Sequence, residues 1–357
     1  MRRVLVPQHI SEQLPAPGSV PLHARGESMG TSWSVQVLVP PEGRKDGATA
    51  SVIDAQDPVR VDLGGYDVAA LTARVTRQLG TVVAQMSHWL PDSDLGRFND
   101  APPGSWHDLP AEFYAVMDCA VRMAHASAGA FEPYAGALVD LWGFGPRARY
   151  DQPGFRPPTD AQIAVALRLR QAAVVEFDHT RRRLRQPGGV RIDLSAIAKG
   201  YAVDLIAASL DALGLRHFLV EVGGELRGAG MKMDGQPWWV ALEAVPGGDG
   251  DEMVLALHDL AVATSGDYRR SFEKDGARRS HSIDPRNGRP IAHGLASVSV
   301  IHPQCMLADE LSTALTVLGP QAGFDFAERE GVAARFIVRT GAAFEERLST
   351  RLRAYLA

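Results

Sequence analysis

Asp309 and Thr313 stand four residues apart in LADELSTALTVLG. That spacing puts a carboxylate and a hydroxyl on one helix face, one turn apart. Oxygen donors of this kind suit a hard cation, Mg2+ or Ca2+, rather than zinc. The plainer alternative is an Asp that favours the helix dipole from the first turn, beside an ordinary Thr. A second segment, GVRIDLSAIAKGYAVDLI, reads as a strand ending at Asp193 and a turn of small residues at Ser195, Ala196 and Ala198. Lys199-Gly200 then opens a helix. Small side chains let a ligand approach the backbone, and Lys199 at a helix N-terminus can meet an anionic phosphate. The Walker A spacing GxxxxGK[ST] is absent. A purely local reading makes Asp193 and Lys199 an ion pair and leaves Asp204 on the surface.

A third segment, ATSGDYRRSFEKDGARRSHSIDPRNGRPI, gathers arginines that can hold phosphates. It also sets His281 between two serines, where an imidazole can act as a general base near neutral pH. A lone His is also a common structural residue, and Asp-Pro and Asn-Gly also mark plain turns. In VEVGGELRGAG, Gly223-Gly224 signals a hairpin first and a ligand-approach loop second. Trp142 and Phe144 lie among glycines in GALVDLWGFGP, where a flat ring can stack. No GxGxxG follows a predicted strand and no HExxH occurs, which disfavours a dinucleotide fold of the Rossmann type and the commonest metalloprotease.

Positioning these residues takes a mixed fold. The pattern predicts strands at Ser32–Val39, Ala173–Phe177, Phe218–Val222, Trp238–Ala244, Met253–Leu257, Ser297–His302 and Ala334–Val338. It predicts helices over Val68–Met86, Pro110–Ala126, a Thr159-capped stretch, Ala196–Leu213, Met306–Leu318 and Phe324–Arg329, with a last helix from Phe344. The basic run Arg181–Arg185 reads as a solvated hairpin tip. Strands and helices alternate irregularly, which predicts an α+β fold rather than a doubly wound sheet. Residues 1–28, rich in Pro, Gly and polar residues, read as a loose N-terminal arm; 29–357 read as one continuous domain, with a loop insertion at about 40–65.

Composition narrows the function classes. The chain has 357 residues, 45% hydrophobic and 22% charged, with a net charge of -5. Those are the proportions of a folded protein, and the mild acidity argues against nucleic acid as the main partner. Cys119 and Cys305 stand far apart, so neither a disulfide framework nor a thiolate metal site is expected. The start offers an apolar run of only three residues before Pro7, short of the roughly 7–15 of a secretory signal. No cysteine lies nearby to take a lipid, and no apolar run approaches the roughly 20 residues of a membrane span. The expectation is a cytoplasmic protein.

The order of the segments says more than any one of them. MGTSWSVQV, MSHWLPDSDLGRFN, FEPYAGALVDLWGFGP, IDLSAIAKGYAVD, VGGELRGAG, ATSGDYRRSF, SHSIDPRNGRP and ADELSTAL follow one another from Met29 to beyond Gly319. In that order they resemble the ApbE family of FAD:protein FMN transferases. The resemblance implies mostly antiparallel sheets packed against helices. It implies an enzyme that splits FAD at its pyrophosphate and passes FMN to a Thr or Ser hydroxyl of an acceptor protein, releasing AMP. It also implies Mg2+ held by Asp309, Thr313 and the Ala196 carbonyl, and FAD held by Met29, Ser93, Asp193, Lys199 and His281. His281 would deprotonate or position the acceptor hydroxyl, with Asp309 the second catalytic residue. A Mg2+-dependent FAD pyrophosphatase releasing FMN, or a carrier that binds FAD without turnover, are the competing expectations. Many family members are exported, whereas this sequence shows neither a signal nor a lipid-anchor cysteine.

Overall fold

The computed structural model describes residues 2–10, 13–41, 66–147, 149–247, 252–274, 276–341 and 343–357. The loop expected at 40–65 lies almost wholly outside them. In chain order the first half holds β1 (Arg2–Leu5), β2 (Val20–Ser28), β3 (Thr31–Val39), α1 (Val68–Met86), α2 (Asp94–Asn99), β4 (Trp106–Asp108), α3 (Ala111–Ala126), α4 (Gly136–Leu141), α5 (Asp160–Ala172), β5 (Glu176–Asp178) and β6 (Arg183–Arg185). The second half holds α6 (Ala198–Asp211), β7 (Phe218–Val222), β8 (Glu225–Ala229), β9 (Trp238–Ala241), β10 (Glu252–Leu257), β11 (Leu260–Gly266), β12 (Ser271–Lys274), β13 (Ala277–Ser280), β14 (Ile283–Asp284), β15 (Arg289–Pro290), β16 (Leu295–His302), α7 (Cys305–Leu318), α8 (Ala322–Arg329), β17 (Ala333–Thr340), β18 (Ala343–Leu348) and α9 (Thr350–Arg353).

The frame is an eight-stranded sheet of order β18-β17-β16-β11-β8-β7-β3-β2, antiparallel at every step. Its central strands are covered on both faces. Along β11, Ala261 faces the core built with α1, α3 and α6, and Ala263 faces the one built with α7 and α8. Val262 between them points to the opposite side, against the small sheet β1-β10-β9, as the two-residue period of a strand requires. Helix α1 shows why the sequence pattern works: Leu71, Val75, Leu79, Val82 and Met86 are its buried residues, and Asp67 accepts the Ala70 N–H at 2.6 Å to cap it. Each such side chain contributes about 1.5–3 kcal/mol on leaving water.

Two expectations fail. Residues 1–28 are not a loose arm: β1 pairs in parallel with β10, and β2 pairs with β3 over nine residues. Pro15-Ala16-Pro17-Gly18 stands just ahead of β2, and within β2 Leu22 and Ala24 alternate into the core beneath α1. Nor does a helix begin at Phe344. AFEERL forms β18 and pairs with β17 from Arg335↔Leu348 to Thr340↔Ala343, leaving only the short α9 capped by Ser349. The edge of a sheet wins there because pairing satisfies the backbone of β17 as well as its own.

The antiparallel order sets all the relevant turns at one end of the sheet. The β2–β3 turn at Met29-Gly30, the β7–β8 turn at Gly223-Gly224, the end of β11 at Ser265-Gly266 and the start of β16 lie side by side there. Helices α6 and α7 pack on the sheet antiparallel to each other, α6 starting near that end and α7 running toward it.

Candidate functional site

The site is built where α6 meets α7. Gly200 makes the approach possible. A Cβ there would stand 2.4 Å from the Cys305 carbonyl oxygen and 2.8 Å from Asp309 Cβ, so the helices touch backbone to backbone. The Gly200 N–H donates to Asp309 Oδ2 at 3.0 Å. Gly200 is the third residue of α6, whose N-cap is Ile197, so its N–H is one of the first-turn donors with no acceptor inside the helix, and Asp309 supplies one. Ala196 lies in the turn just ahead of α6, and its carbonyl has no donor among the described residues; Asp309 is only 3% exposed. One turn along α7, the Thr313 hydroxyl meets Ser265 Oγ at 3.1 Å, and Ser265 also bonds Ser312 Oγ at 2.7 Å. The donors are a carboxylate, a backbone carbonyl and a hydroxyl, all hard oxygen, and they fit the Mg2+ that the resemblance implies. Next to them, burial pushes the Glu310 carboxyl up to about 8, so it keeps its proton at neutral pH and adds no second charge.

Lys199 does not pair with Asp193. Its ammonium binds Glu225 at the start of β8, a carboxylate only 1% exposed whose Oε2 has no hydrogen-bond partner. Burial pushes Glu225 up to about 7, with Lys199 pulling the other way and Asp309 adding to the rise. Burial also works against the Lys199 ammonium, but the Glu225 and Asp309 carboxylates outweigh it and raise its pKa. One turn further on, Asp204 pairs with Arg227 at 2.6 Å. It is no free surface residue.

His281 follows the β12–β13 hairpin. Its backbone N–H and its ring Nδ1 both lie 3.0 Å from the Arg270 carbonyl oxygen. A carbonyl can only accept, so Nδ1 carries the proton and Nε2 is left with the lone pair. Burial pulls the ring down to about 4, and the charges of Arg270, Lys199 and Arg269 act in the same direction. The imidazole is therefore neutral at pH 7 and shares its surroundings with Lys199. Arg269 reaches back to the Gly223 carbonyl at 3.1 Å and pairs with Glu243. Asp267 holds both Arg278 and Arg339, with N–O distances of 2.7–2.8 Å, which ties the hairpin ahead of His281 to β17.

The remaining expected residues are placed less directly. Met29 and Gly30, with φ of +54° and +71°, form the two-residue turn of a tight hairpin, next to Thr31, which packs on Gly223. The same stretch, Gly26-Glu27-Ser28-Met29-Gly30, spells GxSxG, yet it joins strand to strand and not strand to helix, so it is no nucleophile elbow. Asp193 meets His88 Nδ1 at 3.3 Å and accepts the Ser195 N–H at 2.8 Å, which shapes the turn ahead of Ala196. Ser93 does not line the cleft. It is 2% exposed and spends its hydroxyl capping α2, accepting the Gly96 N–H at 2.8 Å and donating to the Ser87 carbonyl at 2.6 Å. Sequence reasoning missed Glu225, Ser265 and Asp204. Glu225 follows Gly223-Gly224, which reads as a hairpin turn, and Ser265 lies on β11, where the pattern predicts no strand.

A sequence model of the ApbE family matches residues 29–336. The chain belongs to the ApbE family. Among its ApbE relatives, the FAD:protein FMN transferase of Vibrio cholerae is 34% identical over 340 residues, covering 94% of this chain and 93% of the relative. The FAD:protein FMN transferase of Haemophilus influenzae is 38% identical over 282 residues, covering 76% and 79%. The crystal structure of the Pseudomonas stutzeri flavinyl transferase ApbE, in its apo form, superposes with a TM-score of 0.79 at 35% identity, covering 94% of this chain and 97% of that one. The mostly antiparallel α+β architecture is thus an ApbE fold.

Proposed function

We propose that this ApbE-family protein is a Mg2+-dependent FAD:protein FMN transferase. The observation that carries the reading is the hydrogen bond from the Gly200 N–H to Asp309. It holds the Asp309 carboxylate against the first turn of α6, which follows the turn of Ala196, while Lys199 is near enough for its charge to act on both Asp309 and His281. The names of the relatives support the same reaction. Bound there, Mg2+ would supply charge neutralisation for the pyrophosphate. Lys199 would hold a phosphate oxygen once the anion competes for its ammonium, and Arg269 and Arg270 would add positive charge around the same group. The hydroxyl of an acceptor Thr or Ser attacks the phosphorus of the FMN half. A new P–O bond forms there, the bond to the AMP phosphate breaks, and AMP leaves. The hydroxyl proton goes to His281 Nε2, the nitrogen left unprotonated by the Arg270 contact. An anionic phosphate beside the ring raises its pKa from about 4 toward the range useful for a general base.

The test is to incubate the protein with FAD, Mg2+ and a candidate acceptor domain and to look for flavin fluorescence on a denaturing gel. A labelled acceptor, lost with EDTA, is the expected result. Free FMN and AMP without labelling would make the protein a pyrophosphatase instead, and unchanged FAD would make it a carrier.

A further inference from the structure

Helix α7 carries Asp309 and Thr313, yet it starts without a cap of its own. Gln304 at its N-cap makes no side-chain hydrogen bond, and its first turn holds no acidic residue. The first N–H groups of a helix need acceptors, and here they come from another helix. Asp204 on α6 accepts the Cys305 N–H through Oδ1 at 3.0 Å and the Met306 N–H through Oδ2 at 2.9 Å. The same Oδ1 takes Arg227 Nη1 from β8 at 2.6 Å. The second link between the helices is Gly200 to Asp309. Gly200 and Asp204 lie one turn apart on α6, and their partners, Asp309 and Cys305, lie one turn apart on α7. Two struts at that spacing fix both the height and the rotation of α7 against the turn that holds Ala196.

We propose that Asp204 is a positioning residue for the cation site: by capping α7 from α6 it holds Asp309 and Thr313 in register with the Ala196 carbonyl. Arg227 steadies it by holding Oδ1. The inference rests on the metal reading above and adds a residue that touches neither metal nor FAD. An ordinary cap would affect stability alone, whereas a positioning residue moves cation affinity while leaving the FAD contacts of α6 intact.

The experiment titrates Mn2+ into the protein without FAD or acceptor, following the free-ion signal by electron paramagnetic resonance. FAD binding is measured separately in EDTA by flavin fluorescence. For Asp204→Asn, which keeps the size but turns one acceptor into a donor, and for Asp204→Ala, the Mn2+ Kd is expected to rise at least tenfold and the FAD Kd to stay within twofold. Arg227→Met, which leaves both amide contacts, is expected to raise the Mn2+ Kd about threefold and decides the matter should the Asp204 variants not fold. A fall in melting temperature with an unchanged Mn2+ Kd in the folded variants overturns the proposal. Wild-type protein that binds no Mn2+ overturns it together with the metal reading. Acceptor labelling failing while Mn2+ binding responds as expected counts against the transferase reading alone.

Discussion

Replacing Gly200 by alanine adds one methyl group at the closest point between α6 and α7. That methyl would lie 2.4 Å from the Cys305 carbonyl oxygen, where ordinary van der Waals contact begins at 3.4 Å. Roughly 1 Å of separation must therefore be found, and the obstacle is backbone, which cannot rotate aside. Overpacking of this kind costs about 1–3 kcal/mol, or roughly 1–4 °C in melting temperature for a chain of this size. The functional loss is expected to be larger. Lengthening the 3.0 Å bond from Gly200 to Asp309 by ~1 Å abolishes it and carries the carboxylate away from the Ala196 carbonyl. A displacement of that size in a catalytic constellation costs about 100-fold in rate, or ~2.7 kcal/mol of activation free energy. The assay is FMN transfer to an acceptor domain at saturating FAD, beside a thermal melt. Gly80→Ala in α1 is the control: a Cβ there meets nothing within 4 Å, so the change is expected to be neutral or stabilising by about 0.5–1 kcal/mol. A Gly200→Ala protein that transfers FMN at the wild-type rate would refute the claim that this contact sets the site.

His281→Ala is expected to bind FAD as the wild type does and to lose transfer; full transfer in that variant removes His281 from the mechanism. With its folded pKa near 4 against 6.5 for an unperturbed His, the unfolded chain takes the proton first. The stability that His281 contributes is thus complete above pH 6.5 and lost as the pH falls toward 4. Between pH 7 and 4.5 the wild type should lose more melting temperature than His281→Gln, and parallel curves would contradict the burial argument. Lys199→Met strands Glu225 in a buried place. Because that carboxyl already sits near 7, it takes up a proton, and the cost should be about 1–3 kcal/mol rather than the roughly 3–5 of an unpaired buried charge. Adding Glu225→Gln should restore denaturant stability but not FAD affinity; a Lys199→Met protein with unchanged FAD affinity in EDTA would rule out the phosphate role. Asp309→Ala should abolish transfer together with its Mg2+ dependence, and undiminished turnover would remove Asp309 from the cation site.

What the sequence revealed depended on range. Helix α1 is periodic in itself, so Val68–Met86 came out with the expected bounds. Asp309 and Thr313 share a face of α7 by simple spacing. Strand β11 was missed because Leu260–Gly266 is buried on both faces, which removes the alternation that marks a half-exposed strand. β18 was taken for a helix because Glu, Arg and Leu are good helix formers, and only pairing with β17 makes it a strand. In the site, the partner of Lys199 lies 26 residues away across a strand and a turn. Nothing local favours Glu225 over the nearer Asp193, which the fold gives to His88. Ser93 looked like a cleft residue because it stands in a family motif, and local capping chemistry claimed it.

The four charges between α6 and β8 have a further consequence. Lys199 and Asp204 face Glu225 and Arg227, positive against negative at one end and negative against positive one turn along. A strand that slides by two residues keeps every side chain on its own face, so the apolar residues of β8 by themselves do not reject that error. The charges do. Slipped one way, Arg227 would stand against Lys199; slipped the other way, Glu225 would stand against Asp204, and either like pair would be half-buried and without relief. The lysine that awaits a phosphate is thus half of a two-letter code that tells β8 where to stop.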